Sequence, residues 1–438
     1  MERRRLPGWL VVSVLLLGAL ALSACLPDGV RVPQNQLSGL LERKSGLIAY
    51  LGTDGNIYTI DQGGGRQTAV TKDAVLDGDN YLFYGLPTWS PDSQSLAFDS
   101  YTGLRGQNPT SMSLFTAHKD GAELQEALKS DYQLIFYYWS PDSKRLALIA
   151  STANNSLSLQ VVAPGGSPQL VDTGAPFYWS WAPDGNTILA HAGGADPGER
   201  ARLSLLQLDP SVSERAFGIQ PAEFKAPAFS PDGKQVLVAG EVGEGKSALL
   251  LTDATGGNPQ TLAEYSGSIA FVWSPDGKRV AYVVSDDPSV GAPGHLVVLD
   301  PAGKAKTVEL DGSKVLAFFW SPNSKSLAYF SLAEVTGDGT ATPSASSTPV
   351  ILNLSVMDAR TGKSHSVATY PSSEQFLNVV PYFDQFHPTV TIWSPDSKNL
   401  VVSAYGSSGT PGIWVVEASG HLDPRHVADG WMGFWSWH

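Results

Sequence analysis

The stretch Tyr138–Ala150, YWSPDSKRLALIA, reads as the end of a strand, a turn and a second strand. The chain says nearly the same thing six more times. TWSPDSQSLAFDS begins at Thr88, FSPDGKQVLVAG at Phe229, VWSPDGKRVAYVV at Val272, WSPNSKSLAYF at Trp320 and IWSPDSKNLVVSA at Ile392; a looser copy, WAPDGNTILAHA, begins at Trp181. A reaction needs one site, so a motif used seven times points to architecture before chemistry.

The motif Trp or Phe stands at positions 89, 139, 181, 229, 273, 320 and 393. Successive gaps run from 42 to 50 residues, except the last, which is 73. Four-stranded propeller blades repeat at roughly 40–50 residues. Each gap parses alike. SIAFVW precedes the turn, KRVAYVVS follows it, HLVVLD is a third strand and AKTVEL a fourth. Pro at the second turn position has the φ a type I turn needs, and Asp can accept from backbone N–H groups just ahead. Gly follows Asp or Asn in three copies (Gly185, Gly233, Gly277) and Ser in four (Ser93, Ser143, Ser324, Ser397), so no strict requirement for positive φ is expected there. The repetition makes these carboxylates turn residues rather than metal ligands.

The two ends complement each other. Residues 46–71 read as second, third and fourth strands without a first, whereas GWMGFWSWH at the C-terminus reads as a first strand and stops. Together they make one blade that closes the ring and removes its open edges. The expected fold is an all-β, eight-bladed propeller of four-stranded antiparallel blades, with seven blades as the alternative.

Composition fits. The 438 residues include 12 Trp, 44 Gly and 30 Pro, which suits short strands and turns rather than helices. The net charge of −13 argues against nucleic acid as a partner. A basic MERRR and the apolar WLVVSVLLLGALAL read as an export signal. LSAC, Leu22–Cys25, follows directly and resembles the bacterial lipoprotein lipobox, which implies acylation of Cys25. Cys25 is the only cysteine, so no intramolecular disulfide forms. The expected layout is a signal peptide over 1–24, the lipid-attachment Cys and a linker over 25–45, and the propeller over 46–438. The expected location is the extracytoplasmic side of a bacterial membrane, with the anchor making the membrane itself a partner.

The WSPDG-K-x-L-A-F pattern resembles the repeat of TolB-like β-propellers, over residues 46–438. The resemblance implies fold more than function. It departs from TolB in lacking room for an N-terminal α/β domain, and from the related peptidases in lacking an α/β-hydrolase domain. Oligogalacturonate lyases are similar propellers with a metal site on one face, so the resemblance also implies a second reading.

Strand alternation puts every motif turn on one face and the long insertions on the other. The insertions are DSYTGLRGQNPTS after Phe98, HAGGADPGERA after Ala190, SDDPSVGAPG after Val284, AEVTGDGTATPSASSTP after Leu332 and PSSEQFLNVVPYFDQFHP after Tyr370. QFLNVVPYFDQFHP is too apolar to stand in water. Either it covers the channel mouth, or Tyr382, Phe383 and Phe386 offer a partner an aromatic patch. No G-x-S-x-G or H-E-x-x-H pattern occurs, the eight His are scattered, and DGDN at Asp77–Asn80 lacks the rest of a calcium loop. No catalytic residue, metal ligand or cofactor is expected. The sequence therefore points to a lipid-anchored binding or scaffold propeller holding a protein, peptide or glycan on its loop-rich face. The alternative is a polysaccharide lyase or hydrolase with a site at the channel mouth.

Overall fold

The computed structural model describes residues 45–438 apart from 154–155, 194–199, 244, 311, 313 and 334–348. Cys25 and the expected boundaries before residue 45 lie outside the described residues, as does most of the insertion after Leu332.

The strands form seven antiparallel sheets, numbered here in chain order. Sheet 1 has six strands in the order Asn399–Tyr405, Pro411–Glu417, Arg425–Trp435, Ile48–Gly52, Ile57–Ile60, Thr68–Ala69. Sheet 2 pairs Asn80–Tyr84 and Thr88–Trp89 with Ser95–Leu104, followed by Ser111–His118 and Gln125–Ser130. Sheets 3 to 7 have four strands each and open with Leu134–Trp139, Phe177–Trp181, Ala228–Phe229, Ser268–Trp273 and Ala317–Trp320. The fold is a β-propeller, as the repeat predicts.

The count is seven, the alternative, rather than eight. The physical reason is one continuous strand. Arg425–Trp435 runs for eleven residues. Its first half pairs with Pro411–Glu417, Gly412 opposite Asp429 and Val415 opposite Arg425. Its second half pairs with Ile48–Gly52, Ile48 opposite Trp435 and Leu51 opposite Met432. The blade expected from Trp393 and the closing blade are thus fused into sheet 1 instead of standing apart. The C-terminal strand does lie beside the N-terminal ones, as the two half-blades require.

In three copies along the chain the motif Trp bonds its sheet to the one before, whereas Trp139 Nε1 and Trp181 Nε1 are buried without a partner. Trp273 Nε1 donates to Ala228 O at 3.1 Å, Trp320 Nε1 to Val272 O at 3.4 Å and Trp393 Nε1 to Phe319 O at 3.0 Å. Each acceptor is the residue just before the preceding motif's aromatic. Within the turn, Ser274 Oγ donates to Asp276 Oδ1 at 2.7 Å, and Asp276 Oδ1 accepts from Lys278 N at 3.1 Å. Ser274 Oγ accepts from Arg279 N at 2.9 Å. Where Ala182 replaces the serine, the Thr187 hydroxyl takes over the bond to Asp184, at 2.8 Å.

The expectation of a tolerant φ at the fourth turn position is corrected. Every copy is left-handed, at +66°, +70° and +67° for Gly185, Gly233 and Gly277 and from +58° to +61° for Ser93, Ser143, Ser324 and Ser397. The serines are accepted because each hydroxyl does something a glycine cannot. Ser143 Oγ accepts from Asp92 N at 3.0 Å, Ser324 Oγ from Asp276 N at 3.0 Å and Ser397 Oγ from Asn323 N at 3.2 Å. Ser93 Oγ accepts from His438 N at 3.0 Å. All four bonds cross between neighbouring motif turns or from the C-terminus to one. The glycines stand where the previous turn crowds in: a Cβ on Gly277 would lie 3.3 Å from Pro231 Cδ, and one on Gly185 3.1 Å from Asp142 Cγ.

Candidate functional site

The last insertion is helical rather than an open loop. Helix α1 (Glu374–Val379) starts at Ser373, whose hydroxyl accepts from Phe376 N at 3.3 Å. A 3₁₀ turn (Val380–Tyr382) and helix α2 (Phe383–Phe386) follow. Aromatic rings drive the segment into the channel. Phe376 meets Phe330 at 5.1 Å, Phe383 meets Phe318 at 4.9 Å and Phe386 meets Phe136 at 4.5 Å. Phe318 lies on the opening strand of sheet 7 and Phe136 on that of sheet 3. The segment therefore spans the bore.

Of the three residues expected to meet a partner, Phe383 is only 3% exposed, Phe386 is half-buried and Tyr382 is 40% exposed. The structure places the first two in a plug and leaves Tyr382 facing out. The insertion after Phe98 is also more ordered than expected. Ser95–Leu104 continues as strand and pairs with Asn80–Tyr84, so the hairpin rises above the loop-rich face.

Beside the plug, on that face, lies a cavity of about 140 Å³. Its walls include Thr88, Asp99, Tyr101, Phe136, Tyr137 and Phe386. Asp99 comes from the middle of an apolar strand and is 6% exposed. Tyr101 donates to Asp99 Oδ2 at 2.5 Å. The Tyr137 hydroxyl lies 2.7 Å from Leu86 O and 3.0 Å from Asp99 Oδ1, and accepts from Asp99 N at 2.9 Å. A phenol has one proton, and Leu86 O can only accept. With that proton on Leu86 O, the contact to Asp99 Oδ1 closes if the carboxyl carries its own. Burial pushes the Asp99 carboxyl up, against the bonds from Tyr101 and Tyr137, in the same direction. Gly85 makes this possible. Its N–H donates to Asp99 O at 2.9 Å, and a Cβ there would lie 2.1 Å from Asp99 Oδ1. The Thr88 hydroxyl, in a residue 3% exposed, has no partner.

A second cluster of polar and aromatic side chains gathers around the link between sheets 4 and 5. Tyr178, Glu223, Phe224 and Lys225 are half-buried, while His191 and Asp384 are buried. The His191 ring is 4.4 Å from Phe224, which is 4.7 Å from Tyr178. Burial pushes the carboxyl groups of Glu223 and Asp384 up, and Lys225 draws both partly back.

Neither Asp99 nor His191 was found from the sequence, yet a signal exists. Both stand ten residues after their motif Trp. At that position the other copies carry Ile149, Ala239, Val283, Phe330 and Ser403. A carboxyl and an imidazole stand out in a column of otherwise mostly apolar residues, and Asp99 lines the cavity. Among the described residues, no three His, Cys, Asp or Glu lie together as metal ligands.

No family model matches the chain. An uncharacterized protein of Agrobacterium fabrum is 35% identical over 103 residues, which take in 24% of this chain and 33% of that protein. The chain thus matches about a third of that relative's length. Among solved structures, dihydro-heme d1 dehydrogenase NirN is 13% identical at a TM-score of 0.53, over 90% of this chain and 75% of that one. Oligogalacturonate lyase from Vibrio parahaemolyticus is 13% identical at 0.50, over 86% and 98%. TolB from Acinetobacter baumannii is 14% identical at 0.39, over 89% and 81%, too distant to weigh. At such identities the likeness is one of fold. The class the fold defines is the β-propeller.

Proposed function

We propose that the protein is a TolB-like, extracytoplasmic binding propeller, tethered to a membrane through acylated Cys25, that holds a protein, peptide or glycan on its loop-rich face. The observation that carries this reading is the cavity at the channel mouth. At about 140 Å³ it has room for one aromatic side chain or ring of an occupant, since an engineered apolar cavity of roughly 150 Å³ takes benzene. Its mixed lining, rings with a few hydroxyl groups and one carboxyl, is that of a recognition pocket. The exposed Tyr382 and Ile135, 40% and 45% exposed, flank the plug and the cavity rim.

Leu47 N donates to Ser436 Oγ at 2.9 Å, so the described chain enters the ring beside the motif turns. The reading as a polysaccharide lyase or hydrolase rests on the likeness of fold to oligogalacturonate lyase alone.

The test is Ile135→Asp in the full-length protein, assayed by recovery of bound material from detergent-solubilised membranes. The rim position should leave the melting temperature within a degree or two while the partner is lost. Undiminished recovery with the charged rim would move the site elsewhere.

A further inference from the structure

The side-chain protons at the polar end of the cavity beside the plug are all used within the protein. Tyr101 donates to Asp99 Oδ2 at 2.5 Å. The Tyr137 proton goes to Leu86 O at 2.7 Å, because a carbonyl only accepts. The contact of 3.0 Å between Tyr137 Oη and Asp99 Oδ1 then takes the carboxyl's own proton. The Thr389 hydroxyl donates to Phe386 O at 2.9 Å. Thr88 carries a hydroxyl without a partner, but its oxygen is sealed from solvent and does not meet an occupant. Tyr101 and Asp99 both line the cavity, and what their oxygens still hold is lone pairs.

Charge is missing as well. With its proton the Asp99 carboxyl is neutral, and among the described residues none that lines the cavity is basic. A carboxylate or phosphate would find no donor there, and an ammonium no opposite charge; stripping either of water without a partner is costly. The remaining wall is largely rings, with Phe136, Tyr137, Phe386 and Phe434 among them. At about 140 Å³ the space suits one six-membered ring rather than the two fused rings of an indole, since roughly 150 Å³ takes benzene. A single uncharged ring with one donating hydroxyl is a phenol.

The approach to the cavity favours a phenol carried by a chain. Ile135 lines the cavity and is 45% exposed, so the cavity meets solvent there. From Tyr101 a row of rings leads away along the strand pair: Phe83 stacks on Tyr101 at 5.0 Å and Tyr81 on Phe83 at 5.7 Å. Leu104, opposite Asn80 in that pair, is 44% exposed. This apolar strip gives the residues on either side of the phenol a surface to lie on.

We propose that this cavity binds the phenol of a tyrosine side chain in a polypeptide partner, whose hydroxyl donates to the lone pairs of Tyr101 and Asp99. The inference rests on the cavity being the recognition pocket and names what it recognises.

The probe is p-cresol, titrated calorimetrically into the detergent-solubilised full-length protein at pH 7.5. Saturable binding is expected, about tenfold tighter than toluene or 4-methylanisole, which is what one hydrogen bond gives. The ether keeps the oxygen and lacks the proton. Benzylammonium and p-toluate should bind more weakly than p-cresol. A blocked tyrosinamide should bind more tightly than p-cresol, and the matching phenylalaninamide should not. Ile135→Trp, which covers the mouth from an exposed position, should abolish p-cresol binding. A crystal soaked in p-cresol gives an independent readout, with the hydroxyl on Tyr101 or Asp99. Toluene or the ether binding as tightly as p-cresol, benzylammonium binding more tightly, or a soaked ring lying outside the cavity overturns the proposal. A tyrosinamide no tighter than p-cresol overturns the polypeptide. The pocket and its ligand fail separately. A partner lost in Ile135→Asp with no p-cresol bound removes only the phenol. Bound p-cresol with the partner retained in Ile135→Asp removes the cavity as the partner's site, and the tyrosine with it.

Discussion

The indole nitrogen of Trp89 donates to the carbonyl oxygen of Phe434 at 3.1 Å, across 345 residues of sequence. It repeats, at the seam, the bond that Trp273, Trp320 and Trp393 make to their neighbouring sheets. The closure is therefore built with the same parts as the rest. Replacing Trp89 by Phe keeps a ring in place and deletes the bond, which should cost about 1 kcal/mol. Removing residues 431–438 takes away Trp435, which is fully buried, and frees the edge of Ile48–Gly52. The truncated chain should aggregate or melt far lower, read by light scattering and thermal unfolding. A truncation that melts like the full chain would show that the seam is dispensable.

The turn serines set one force against another. Ser143 stands at φ +61°, and its hydroxyl accepts from Asp92 N at 3.0 Å. Ser143→Ala should lose the staple and keep the awkward backbone, costing about 1 kcal/mol. Ser143→Gly should come out near zero, because the relief of a left-handed conformation, about 1 kcal/mol, offsets the lost bond. Gly185→Ala, which has no relief to offer and meets Asp142, should cost about 1–2 kcal/mol. Chemical denaturation of the three variants ranks them; Ser143→Gly falling below Ser143→Ala would refute the account.

The plug separates packing from contact. Phe383→Ala should cost about 3–5 kcal/mol, as for a buried ring, whereas Tyr382→Ser should change stability by less than about 0.5 kcal/mol. If Tyr382 belongs to the working face, its variant should nevertheless bind the partner more weakly. Equal loss of stability in the two would mean that Tyr382 is structural.

His191 makes stability depend on pH in one direction. Its folded pKa, about 4, lies below the ordinary 6.5. Between the two values the unfolded chain holds the extra proton, so stability is complete above about 6.5 and falls as pH drops toward 4. A gap of about 2.5 units corresponds to about 3 kcal/mol. His191→Gln should flatten that part of the profile. An unchanged slope between pH 6.5 and 4 would show that His191 is not what titrates.

Cys25 is tested by metabolic labelling with a fatty acid in a bacterial host. The wild type should incorporate the label and Cys25→Ser should not. Equal incorporation would end the lipoprotein reading.

The sequence disclosed what repeats and concealed what occurs once. Trp spacing, turn chemistry and the complementary ends foretold the propeller and its seam, because each follows from periodicity. The fusion of two blades did not show, since nothing in RHVADGWMGFW says that the chain runs straight on from an outer strand to an inner one. The apolar content of Phe383 and Phe386 signalled burial, but only the facing Phe318 and Phe136 say where. Asp99 and His191 were hidden inside strands that read as core, and emerge only when the repeats are laid over one another. The φ at the fourth turn position was misread because serine usually marks a relaxed backbone; here the bond to the neighbouring turn outweighs the strain.

The plug has a cavity on either side of it. One is the cavity beside Asp99; the other, about 100 Å³, opens among the motif tryptophans Trp273, Trp320 and Trp393. Val390 lines both. Among the described residues, the chain from Phe386 to Val390 lies between the two. Whatever fills the well beside Asp99 therefore presses on the same valine that bounds the well among the motif tryptophans.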